Sequence, residues 1–276
     1  MRAAGLPAFH VALIYELHEN KIIMPDSSAA MFASVSAVTF DAGGTLVVPD
    51  PSVSAIYSEV FSQHGIASDP VSVEIAFRRA WRKFGIEGRG PTNEAREITK
   101  WRRIVAATLE GLDPPDDFDA LFDDLWQTFS EPRRWRVREG GVEVLSHLNA
   151  RGIRLAVLSN WDSRLRPLLN GLGLAEYFEA FFISSEIGWE KPHPRIFQVA
   201  AAHFGLPASG ILHVGDSIEE DFEAARTAGW NAVLIDAENV EHLSNAPLRD
   251  GLPKITGLRK LPDLIWSGME TRPPPQ

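Results

Sequence analysis

Between Trp135 and Asp236 the chain alternates short apolar runs with helical periodicity, and no other feature of the sequence restricts the fold as much. The pattern predicts helices at 142–149, 163–172, 194–204 and 218–228, separated by strands at 154–158, 181–184, 211–214 and 232–236. The runs are apolar on both faces and linked by helices, which predicts a parallel sheet covered on both sides. A further buried strand is expected at 34–40, so the fold is read as starting near Ala33, and 255–258 is expected to add an edge strand. The fold class is therefore α/β, a doubly wound parallel sheet of the Rossmann-like kind, with no internal repeat.

From 49 to 132 the strand signal disappears. Val53, Ile56, Tyr57, Val60 and Phe61 recur at helical steps, and further helices are expected at 71–84, 93–109 and 116–129. Four helices thus interrupt the alternation between its first strand and the rest. The chain divides into an N-terminal extension (1–32), a discontinuous α/β core (33–47 and 137–266), a helical cap (48–136) and a disordered tail (267–276), whose last residues include three prolines.

Composition removes whole classes of function. With 276 residues, 45% of them hydrophobic, a sizeable core is affordable. The net charge of −10 has the wrong sign for phosphate backbones, which argues against nucleic acid. No cysteine is present, so disulfides, thiolate nucleophiles and cysteine-bound zinc are excluded, and a reducing, cytoplasmic setting is expected. The apolar stretch at 6–15 is too short to cross a bilayer and makes a poor secretory signal. Met24 and Met31 lie just before the first strand, which suggests an internal start.

In parallel sheets of this kind ligands bind beyond the carboxyl ends of the strands. The first strand ends in Phe40-Asp41-Ala42-Gly43-Gly44-Thr45, a carboxylate on a glycine-containing turn; by itself this is an ordinary tight turn. The second ends in Ser159-Asn160, either a helix cap or part of an anion cradle. Lys191 sits between Glu190 and Pro192, ahead of the helix that starts at Pro194, where a surface lysine would be unremarkable. The fourth ends in Gly215-Asp216 with Asp221 five residues on, an acidic helix start or a pair of oxygen ligands for Mg²⁺. All four features follow strands, in one order, and together they supply nucleophile, anion donors, cation and metal carboxylates.

On these residues the chain resembles the haloacid dehalogenase-like (HAD) hydrolase superfamily over about 33–266, with a type-I helical cap, and within it the rhythmically expressed protein branch. The resemblance implies that Asp41 takes a phosphoryl group as an aspartyl-phosphate, with Lys191 and Ser159 beside it in catalysis. It further implies that Ala42, Gly43, Thr45, Ser159, Asn160 and Lys191 meet the substrate, and that Mg²⁺ is held by Asp41, the Gly43 carbonyl, Asp216 and Asp221. The substrate would be a small phosphorylated molecule. Phosphatases of this superfamily carry an acid two residues after the nucleophile, and here Gly43 occupies that place. Without proton donation an ordinary monoester should be slowed by about 10²- to 10⁴-fold. The chemistry is therefore weakened or specialised, for example towards a good leaving group. The other readings are a catalytically poor phosphate- and Mg²⁺-binding regulatory module, or a hydrolase of C–P or C–halogen bonds. A C–P hydrolase needs a cap amine such as Lys83 or Lys100; dehalogenases work without metal and lack the Gly215-Asp216 pair.

Overall fold

The computed structural model describes residues 22–23, 32, 34–85, 90–235 and 252–266. The expected tail, Asp236, the short apolar stretch at 6–15 and most of the expected extension lie outside the described residues. Strands β1 (Ile22–Ile23), β2 (Ala37–Phe40), β5 (Arg154–Ser159), β6 (Ala180–Ile183), β7 (Ile211–Gly215), β8 (Asn231–Ile235) and β9 (Lys254–Ile255) form one seven-stranded sheet. Its order is β1-β9-β8-β7-β2-β5-β6. The six strands from β9 to β6 run parallel, and β1 pairs antiparallel with β9.

Two details differ from expectation. Ile22–Ile23 lies in the segment read as an extension, yet it forms the sheet edge, so β9 is covered and is not an edge strand. β9 itself is two residues long, and 258–260 turn into a 3₁₀ helix. Pairs this short carry no periodicity for a sequence reading to detect.

Period-two alternation assigns each strand to two cores. Val38, Phe40, Leu155 and Val157 pack on one face, against helices α5 (Gly141–Ala150), α6 (Leu165–Gly171) and α10 (Leu261–Trp266). Ala37, Ala156 and Leu158 face the other way, against α8 (Pro194–Phe204) and α9 (Ala224–Thr227). Short α7 (Ser184–Ile187) follows β6 directly.

Helices α1 (Val53–Gln63), α2 (Pro70–Ala80), α3 (Glu94–Thr108) and α4 (Phe118–Thr128) share a third apolar cluster around Tyr57, Phe61, Phe77, Ile104 and Leu121. Each starts on a side-chain cap, from Ser52, Asp69, Asn93 and Asp117 respectively, and each cap satisfies backbone N–H groups that the first turn leaves open. The α2 helix runs on through a π-helical turn at Trp81–Gly85. An antiparallel ribbon that the sequence reading left out, β3 (Val47–Pro49) with β4 (Trp135–Val137), joins this segment to the sheet.

Counting only parallel strands, β2 is flanked by β5, which follows it in the chain, and by β7, the fourth. The chain builds outward from β2 on one side, then crosses back to continue on the other. That reversal opens a crevice at the carboxyl ends of β2 and β7, the place such sheets bind ligands.

Candidate active site

Registers Phe40↔Val157 and Phe40↔Val214 bring the ends of β5 and β7 level with the end of β2. Asp41 is the next residue, and its N–H donates to the Val214 carbonyl at 2.9 Å, extending the ladder by one step. Its Oδ1 accepts from the Ser159 hydroxyl at 2.9 Å and from Lys191 Nζ at 2.8 Å. The same ammonium donates to Asp221 Oδ1 at 2.5 Å. Asn160 fixes the loop that delivers this lysine: its Oδ1 accepts from Lys191 N–H at 2.7 Å and its Nδ2 donates to the Lys191 carbonyl at 2.9 Å.

Asp221 lies in a π-helical turn, Ile218–Glu223, a local widening that is frequent at functional sites. Its Oδ2 accepts from Ser217 N–H at 2.9 Å, and its Oδ1 also accepts from His213 Nε2 at 3.0 Å. The Thr39 hydroxyl lies 2.8 Å from His213 Nδ1. A buried chain therefore runs from Thr39 through His213, Asp221 and Lys191 to Asp41. Both Asp221 oxygens are engaged by protein donors, so this carboxylate is placed to hold Lys191.

Oxygens of Asp41, Asp216 and Asp221 lie within 4.8 Å of one another. Three carboxylates face one buried ammonium, and the imbalance shows in their proton affinities. Burial, with Asp41 and Asp221 as like charges, pushes the Asp216 carboxyl well above the usual carboxylate range. Asp41 is raised by burial and Asp221, against the pull of Lys191 and Ser159. Asp221 goes the other way: burial opposes its charge, but Lys191 and His213 outweigh burial and hold it low. For Lys191, burial is more than offset by Asp221 and Asp41, so it stays charged. An all-oxygen set with surplus negative charge fits a hard divalent cation such as Mg²⁺.

Two glycines are required by space here. Gly44 has φ +76°, and a Cβ on it would stand 2.5 Å from Asp216 Oδ2. Gly44→Ala is expected to cost at least about 2 kcal/mol, from left-handed strain and displacement of Asp216, read as a lower urea midpoint with an unchanged slope. A Cβ on Gly215 would stand 2.1 Å from Asp221 Cγ.

Above these carboxylates lies a cavity of about 800 Å³, walled by the sheet ends on one side and by α1–α4 on the other. Gly43, Ser159, Asn160, Lys191 and Asp216 line it with Asp41, whereas Ala42 and Thr45 do not. Ala42 is buried with its carbonyl accepting from Leu46 and Val47, and Thr45 Oγ1 reaches back to Asp216 Oδ1 at 3.4 Å. Both shape the turn behind Asp41.

A sequence profile of haloacid dehalogenase-like hydrolases matches residues 35–229. The chain belongs to that family. Among relatives of this hydrolase, the mouse haloacid dehalogenase-like hydrolase domain-containing protein 3 is 33% identical over 237 residues, covering 83% of this chain and 91% of that protein. The rhythmically expressed gene 2 protein of Drosophila melanogaster is 28% identical over 220 residues, covering 75% and 85%. In fold it is similar to the HAD-family protein YfnB of Bacillus subtilis bound to magnesium, with a TM-score of 0.67 at 18% identity over 84% of this chain and 98% of that one.

Three features of this HAD-like hydrolase escaped the sequence reading. Trp161 packs on Gly43: a Cβ there would meet its Cζ3 at 2.9 Å, so a ring fills the space a side chain at 43 would take. Arg138 donates to the Gly44 carbonyl from the strand-to-helix bend after β4. Lys100 bridges Glu97 at 2.7 Å and Glu190 at 3.5 Å, at the seam between α3 and the Lys191 loop. No local motif marks any of them, because the Trp161, Arg138 and Lys100–Glu190 contacts each join residues far apart in sequence. Burial opposes the Lys100 charge, but Glu97 and Glu190 prevail and keep it an ammonium. Lys83 sits against the Phe84 ring, 4.9 Å from its centroid. No helix among the described residues is long and apolar enough to cross a membrane.

Proposed function

We propose that this hydrolase removes a phosphoryl group from a small phosphorylated molecule, through a phosphoenzyme at Asp41, in a cytoplasmic setting. The observation that supports this best is the Asp41 carboxylate fixed by Ser159 and Lys191 at the floor of a roomy cavity, beside Asp216. Asp41 attacks phosphorus, the bond to the leaving oxygen breaks, and water then attacks the aspartyl-phosphate, returning the carboxylate and releasing phosphate. Lys191 and Ser159 have their donors where charge gathers on the transferring oxygens, and Asn160 keeps Lys191 from drifting. Mg²⁺ would be held by Asp41 and Asp216, with the Gly43 carbonyl and Asp221 close by; when bound it neutralises charge so that an anionic carboxylate and an anionic phosphate can meet. Helices α1–α4 act as a lid that keeps bulk water from the phosphoenzyme.

Lys100 speaks against C–P cleavage through an amine, since it is held as an ammonium by two carboxylates. The test is a substrate panel assayed with Mg²⁺ and with chelator. Turnover that chelation abolishes supports the reading, and uniform inertness with intact Mg²⁺ and phosphate binding supports a binding module instead.

Mg²⁺ is expected to raise the melting temperature by roughly 5–10 °C near saturation, because it binds the folded site and neutralises its excess charge. The raised Asp216 makes protons competitors for the cation. The thermal shift should therefore shrink as pH falls, because protons compete with the cation for the carboxylates. A shift that is absent at neutral pH, or that grows on acidification, contradicts the assignment.

A further inference from the structure

The cavity above Asp41 has an unusual wall. From Gly43 outward, the rings of Trp161, Trp135, Phe129, Tyr57, Phe77 and Trp81 follow one another with centroids 5.3, 6.1, 5.8, 5.5 and 6.2 Å apart. All six line the same space as Asp41. The series starts in the sheet domain at β5's end, passes through the β3–β4 ribbon and ends in the helices, so it spans the cavity from floor to roof. Four of these residues, Trp161, Trp135, Phe129 and Trp81, are only partly buried although they pack against the cores. They keep ring surface available to an occupant.

A leaving group departs in line with the attacking oxygen, away from Asp41 and therefore into this cavity. Over Gly43, two residues on from Asp41, lies the Trp161 ring edge, which offers carbon–hydrogen bonds and no ionisable proton. Two demands fall on the same part of the substrate. It has to carry off the electron pair of the breaking P–O bond unprotonated, and it has to favour a wall of aromatic faces. We infer that this hydrolase takes phosphate esters of aromatic or heteroaromatic hydroxyls, whose ring both delocalises the departing charge and stacks on Trp161 and Trp135. This rests on the Asp41 phosphoenzyme reading above. In the step, the aryl O–P bond breaks to give an aryloxide, the Asp41 O–P bond forms, water later supplies the oxygen of phosphate, and the aryloxide takes its proton from solvent.

The test uses the Mg²⁺-loaded full chain with three substrates: phenyl phosphate, a polyfluoroalkyl phosphate whose alcohol matches phenol in acidity, and acetyl phosphate. The expected result is that kcat/KM for phenyl phosphate exceeds that for the matched alkyl ester by about tenfold or more, the size of a good stacking contact. Phenyl phosphate should also surpass acetyl phosphate. Trp161→Ala should close most of the gap, chiefly through KM, and Trp161→Phe should keep it. Equal rates for the two matched esters, or a preference for acetyl phosphate, would overturn the aromatic assignment while leaving the Asp41 chemistry standing. Failure of all three substrates would overturn both. The comparison of matched esters is made on the unaltered protein, so it holds whether or not the Trp161 variants fold.

Discussion

Asp41→Asn is expected to lower turnover of every phosphorylated substrate by at least about 10⁴-fold, with the fold intact. The amide matches the carboxylate in shape, but its uncharged oxygen is too weak a nucleophile to attack phosphorus, so no covalent intermediate accumulates. Structure should survive because Lys191 keeps Asp221 as a partner at 2.5 Å, and because one of three crowded carboxylates loses its charge. Steady-state rates and acid-quenched labelling of the phosphoenzyme read the two halves of this expectation. Residual turnover within tenfold of the parent, with the label still incorporated, would place the nucleophile elsewhere.

Lys191→Met should be the most destabilising single change at this site. The lysine is 1% exposed and is the ammonium shared by Asp41 and Asp221. Methionine fills a similar volume, so the loss measures charge: two buried carboxylates lose their counter-ion, which typically costs about 3–5 kcal/mol. Urea unfolding without divalent cation gives the number, and Mg²⁺ should recover part of it by replacing positive charge nearby. A loss below about 1 kcal/mol would mean that the carboxylates take up protons or water instead, and that the lysine does not hold the cluster together. Activity should vanish along with stability, since the donor at 2.8 Å from Asp41 goes too.

Much of this was legible before any coordinates. Strand–helix alternation foretold the parallel sheet, because each short run there is apolar on both faces and each connecting helix is amphipathic. The end-of-strand residues Asp41, Ser159 and Asp216 could be picked out, since parallel topology aims every such position at one edge, and Lys191 could be picked out in the loop before α8. The arrangement of Asp221 was less accessible: the sequence offers a second carboxylate five residues after Asp216, and only the π-helical turn reveals Ser217, His213 and Lys191 already gathered on it. His213 could be placed near Asp216 by counting, but not on Asp221 or against Thr39. Trp161 was unreadable for the same reason. Its significance depends on meeting Gly43 across 118 positions of chain, and nothing in either local context announces the other. The short strands at 22–23, 47–49 and 135–137 fall below the length at which a two-residue period can be told from chance.

That last pair has an evolutionary corollary. Val47 faces Val137 across the β3–β4 ribbon, so the two ends of a long helical excursion are clasped where they leave the sheet. The cost of closing a loop rises only slowly with its length once its ends are held. Lengthening, trimming or rewriting the excursion therefore leaves the registers of β2 with β5 and β7 untouched. What enters the chamber can therefore be altered through the roof alone, with the Asp41, Lys191 and Asp221 cluster beneath left in place.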